Sequence, residues 1–130
     1  MNGNVLTSVL ALIPYEMQSR MGDLELAVSG ELTTCAHIDE FTRYLSDGRY
    51  SVVLVPGALP AHEWWHVWGL LTTIDPQPSI LVYALNSDFH MWSGVLEVGG
   101  FDVIVAPFTA AKLRVAITSA AEFFVRRPLE

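Results

Sequence analysis

His62, Glu63 and His66 stand at a spacing that can do chemistry, in the run His-Glu-Trp-Trp-His. On a helix, residues four apart share a face, so two imidazoles can hold one zinc ion while the intervening carboxylate acts as general base. Such a site needs a third protein ligand and an open coordination position. The two remaining histidines, His37 and His90, stand at no recognised third-ligand spacing from the pair. A small zinc-dependent hydrolase is therefore the enzyme-class alternative, and the leading expectation is that the run is structural and holds no metal. Cys35 is the only cysteine, which excludes an intrachain disulfide and any thiolate cluster, and reads as a small buried side chain.

Charge and composition narrow the partners. The chain has 130 residues, enough for one domain with a real core, and 52% of them are hydrophobic. Its formal net charge is -7, with Lys112 the only lysine and no run of basic residues. That balance argues against a nucleic-acid surface. No apolar stretch is long enough to span a bilayer. Residues 5–14 are apolar but lack a basic segment before them, since the first positive side chain is Arg20. The expected location is the cytoplasm.

The elements that must position these residues alternate between two periodicities. Residues 8–13, 31–35, 50–55, 79–84 and 101–106 are short apolar or β-branched runs, the pattern of strands covered on both faces. After each comes a helical stripe. Met17, Met21, Leu24 and Val28 form the first, with Gly30 as its stop, and Ile38, Phe41, Tyr44 and Leu45 form the second. A third helix spans about 61–73. A fourth, capped by Asn86, Ser87 or Asp88, reaches Val98 and ends at Gly99-Gly100. Thr109 caps a fifth, with Leu113, Ala116, Ile117, Ala120 and Phe124 on one face. Five β-α units with right-handed crossovers predict an α/β fold. Its five-stranded parallel sheet has order 2-1-3-4-5 and helices on both faces, with functional groups beyond the carboxyl ends of the strands.

This layout resembles the receiver domain of bacterial two-component response regulators, from about Thr7 to Val125. "SVVLVPGALP" is similar to that family's third strand and loop, and "GGFDVIVAPF" to its approach to the fifth strand. The resemblance implies a single receiver-like domain over 1–130 with a flavodoxin-like three-layer sandwich, and residues 126–130 as a linker or tail. It also implies a cis Ala106-Pro107 bond. Receivers need two acids after strand one for Mg²⁺ and a phosphoacceptor aspartate ending strand three. A Ser/Thr ending strand four and a Lys ending strand five complete the set. The matching residues here are Ile13 and Pro14, Pro56, Tyr83 and Ala106, so every one of the five departs. Val103 replaces the family's aromatic switch.

The resemblance therefore implies a non-phosphorylatable pseudo-receiver that needs no cofactor and works by protein-protein interaction in a phosphorelay-type regulator. Its partner would be another protein, an adjacent output domain or a second copy. In this register Trp65, Trp68 and Leu71 are expected to face the sheet, and Trp64 to lie over the degenerate pocket. The partner face is expected at helix four, strand five and helix five, with Phe89, Met91 and Trp92 as its anchors. A third reading makes the pocket, lined by Pro56, Tyr83 and Trp64, a small-ligand sensor.

Overall fold

Val, Leu, Ile and Ala dominate the three innermost runs, and a strand buried on both faces needs no polar alternation. The computed structural model describes residues 7–86, 94, 95, 97 and 99–126. Its strands are β1 (Thr7–Leu12), β2 (Gly30–Cys35), β3 (Val52–Pro56), β4 (Ser79–Ala84) and β5 (Asp102–Val105). All pair in parallel, in the order β2-β1-β3-β4-β5. Every residue of β3 and β4 is buried, whereas the edge strand β2 is largely open to solvent.

Alternation along each strand divides the core into two layers. Val9, Ala11, Leu54, Leu81, Tyr83 and Ile104 face Met21, Leu24 and the C-terminal helix (Ala110–Arg126). Leu10, Leu12, Val53, Val55 and Val82 face α2 (Ile38–Asp47) and α3 (Ala61–Thr73). The C-terminal helix begins as expected, with Thr109 Oγ1 accepting the Lys112 N–H at 3.2 Å. Leu113, Ile117 and Ala120 form its buried stripe. Gly99, at φ +98, and the Gly100 N–H, which donates to the Val95 carbonyl at 2.8 Å, close the helical residues around Val95. The Ala106-Pro107 bond is cis.

The structure corrects three expectations. The first helix is not continuous: a 3-10 turn (Tyr15–Met17) and a short α1 (Leu24–Ala27) flank a run of turns. Ser19, Gly22 and Asp23 favour turns over helix. Met21 and Leu24 are buried even so, and Met17 and Val28 pack against the same layer. Gly30 does not end that helix but opens β2. At φ +148 it lies where a Cβ would stand 2.1 Å from the Thr7 carbonyl oxygen, so only glycine lets β2 approach β1 there.

In α3 the buried stripe is Val67, Trp68 and Leu71, joined by the half-buried Trp64, while Trp65 is 60% exposed. Phe89, Met91 and Trp92, proposed as interface anchors, lie outside the described residues, as do Ser87, Asp88, His90 and Val98.

Candidate site at the carboxyl ends of the strands

The β1–β3 ladder stops with Ala11 opposite Leu54, while the β3–β4 ladder runs on to Pro56 opposite Tyr83. The strands thus part beyond Ala11, and the Leu12 carbonyl faces the gap. Tyr83 fills it. From β4 its ring reaches past β3, and its hydroxyl donates to the Leu12 carbonyl oxygen at 2.7 Å, a contact between residues 71 apart in the chain. Phe108 meets the ring edge-on, with centroids 5.6 Å apart. Burial pushes the Tyr83 phenol above its ordinary value, and the negative charges of Glu16 and then Cys35 push it further. The phenol therefore stays neutral and keeps its proton for Leu12.

Three of the five expected positions line one groove, and the other two pack in the core layer beside it. Pro14, Pro56 and Tyr83 line a groove of about 340 Å³ with Glu16, Leu59 and Leu85. Ile13 is buried in the layer that contains Tyr83 and also borders a neighbouring groove of about 320 Å³, with Tyr15, Cys35 and Glu40. Ala106 packs against the layer that contains Tyr83. Trp64 does not lie over the groove, contrary to expectation: it stacks on Trp68 with centroids 5.2 Å apart and seals the α3 layer.

Two participants escaped the reading of the sequence. Phe108 follows the cis Pro107, and its type predicts burial but not the ring it packs against. The Lys112 ammonium returns from the C-terminal helix to the Val105 carbonyl, a contact invisible to any strand-based register. In the adjoining groove the Cys35 thiol lies 3.7 Å from the Ala11 carbonyl oxygen. Burial, aided by Glu40, raises its pKa from 9.0 to about 12, so it is not a reactive thiolate.

The His-Glu-Trp-Trp-His run opens α3 on its outer face. His62 and His66 are exposed, and His62 Nε2 is 3.8 Å from the Glu63 carboxylate. Among the described residues no three His, Cys, Asp or Glu side chains come together as a metal site would need. His37 pairs with Tyr15 instead, rings 5.5 Å apart and nearly perpendicular.

No family model matches the chain, and no curated protein matches its sequence. Solved structures do. The response regulator receiver domain protein from Clostridium thermocellum superposes with a TM-score of 0.75 at 20% identity, over 90% of this chain and 95% of that one. The signal receiver domain of an HD domain-containing protein from Pseudomonas fluorescens gives 0.77 at 13%, over 95% and 100%. A CheY-like receiver domain protein from Methanospirillum hungatei gives 0.75 at 14%, over 94% and 98%. The fold is the receiver fold. Its full length is spanned here, with the strand order intact and the mouth of the sheet occupied by a tyrosine.

Proposed function

We propose that this chain is a receiver-like signalling domain that takes no phosphoryl group and acts by binding another protein or an adjacent output domain. The observation that carries this is the Tyr83 hydroxyl bonded to Leu12 across the mouth, beside Pro56. Phosphoryl transfer needs a nucleophile, a metal held by acids and a cation to offset developing charge. Proline supplies no nucleophile, and a buried tyrosine tied to Leu12 supplies neither acid nor cation. Among the described residues Glu16 is the one carboxylate in the groove lining, and no cationic residue lines it.

The partner face we favour lies on the side of β5 and the C-terminal helix. There Phe101 and Phe123 meet at 5.1 Å, with Phe123 47% exposed and Val115 67% exposed. Exposed aromatics of this kind are the usual anchors of protein interfaces. One receiver domain with this fold belongs to an HD domain-containing protein, which supports attachment to an output domain here. Among the described residues no helix is long and apolar enough to cross a membrane, and we place the domain in the cytoplasm with its signalling class.

Incubation with Mg²⁺ and a small phosphodonor tests the reading. The intact mass is expected to stay unchanged, in the native chain and in Pro56→Asp alike, because the variant restores neither the metal-binding acids nor the cation. A phosphoryl adduct mapped to the mouth in the native chain would overturn it.

A further inference from the structure

The groove that replaces the phosphorylation pocket has its own binding chemistry. It measures about 340 Å³, at the small end of the range for organic ligands. Its walls are mostly apolar: Pro14, Met17, Pro56, Leu59 and Leu85. Among the described residues, Asn86 is the one lining side chain with N–H donors, and it has no positive charge. Pro14 and Pro56 have no N–H, the Gly57 N–H is bonded to the Tyr83 carbonyl at 2.9 Å, and the Tyr83 hydroxyl is bonded to Leu12.

An anion would find little here to bind. The lining does contain one full charge, the Glu16 carboxylate, which makes no hydrogen bond or ion pair among the described residues. Glu16 is an exposed residue at the rim of the groove, and its charge acts on the Tyr83 phenol in the same lining. The chain as a whole, at net charge -7, attracts cations and repels anions.

We propose that this groove binds a small organic cation, its aromatic or alkyl body seated on Pro56, Met17 and Leu59 and its ammonium group held by Glu16. The proposal rests on the reading that the mouth takes no phosphoryl group. An apolar body gains from leaving water at the proline and leucine walls. The ammonium–carboxylate contact selects the charge, and as a charge-assisted bond at a half-open rim it weakens with salt.

Calorimetric titration of the full chain with phenethylamine, phenethyl alcohol and phenylacetate tests it. Saturable binding of the amine is expected, about tenfold tighter than the alcohol, with none by the carboxylate, and with affinity falling as salt is added. Glu16→Gln should bring the amine down to the level of the alcohol at an unchanged melting temperature, since Glu16 is exposed. Leu59→Ala should weaken amine and alcohol by the same factor. No saturable binding of the amine, equal binding of amine and carboxylate, or a Glu16→Gln chain that keeps its preference would each overturn the proposal. A phosphoryl adduct in the mass experiment would instead overturn the reading beneath it. An unchanged mass with no amine binding removes this inference alone.

Discussion

Buried hydroxyls tie the sheet together at both of its ends, but with different side chains. At the amino end Ser51 Oγ accepts from the Ser8 N–H and donates to the Ser8 carbonyl, each at 3.2 Å. Ser79 Oγ, 3% exposed, donates to the Ala120 carbonyl of the C-terminal helix at 2.8 Å. At the carboxyl end a single tyrosine makes the equivalent bond to Leu12. A serine completes a backbone carbonyl while adding little volume, so the amino end keeps a groove of about 520 Å³ bordered by Arg49, Tyr50 and Asp75. A tyrosine completes the carbonyl and fills the gap with its ring. The serines leave a groove bordered by charged side chains, whereas the tyrosine ring narrows the carboxyl end to the groove of about 340 Å³ with mostly apolar walls.

The sharpest way to test that contrast is to remove the ring. Tyr83→Ala should cost about 3–5 kcal/mol in a denaturant titration, the range for emptying a large aromatic site. Tyr83→Phe should cost only about 1–3 kcal/mol, the penalty for a buried carbonyl left without its donor. If the two variants are equally destabilised, the hydroxyl and not the ring closes the mouth.

Alkali should strike the carboxyl end. The Cys35 thiol and Tyr83 phenol both have folded pKa values raised above their unfolded ones, so the neutral forms are favoured in the fold. Their stabilisation is complete below pH 9.0, the ordinary thiol value, and is lost as pH rises toward about 12. The loss should reach on the order of 2 kcal/mol by about pH 11. Cys35→Ala should flatten the early part of that slope in an alkaline melting series, whereas Ser79→Ala at the amino end should leave it unchanged.

Gly30 tests the amino end from the backbone. Gly30→Ala should destabilise by about 1–3 kcal/mol, through a residue forced to a strained positive φ and a Cβ driven into Thr7. A melting temperature equal to that of the native chain would mean that β2 can shift away from β1 without loss. Ser79→Ala should give the smallest effect, about 1 kcal/mol for one hydrogen bond in a denaturant titration. A cost matching that of Tyr83→Ala would dissolve the contrast between the two ends.

Much of this was legible along the chain. The five strands stand out because runs such as Ser79–Ala84 are continuously apolar and stop at turn residues, and parallel connections leave few orders for them. The register also puts Ile13, Pro14, Pro56, Tyr83 and Ala106 at or just beyond the carboxyl ends of β1, β3, β4 and β5, where the chain carries them. Where local signals were balanced, packing decided. Met17, Met21, Leu24 and Val28 recur at helical spacing, yet Gly22 and Asp23 weaken the helix enough that turns bury the same apolar side chains.

Trp64 and Trp65 are neighbours with equal claims on the core, and the choice fell to the helix phase that buries Val67, Trp68 and Leu71 together. That phase also settles the histidines. At 100° per residue, positions 62 and 66 lie roughly 200° from Trp64 and so point to solvent.

Residue types and their order determined the strands, the strand order and which residue types stand at the strand ends, because these depend on side-chain identity and short-range periodicity. Only the tertiary structure decided that the Tyr83 hydroxyl reaches Leu12, that Phe108 braces its ring and that Glu16 is left as the charge in an apolar groove. Each of those is a contact between distant parts of the chain, fixed by where β1 and β3 diverge, and no local pattern in the sequence encodes that point.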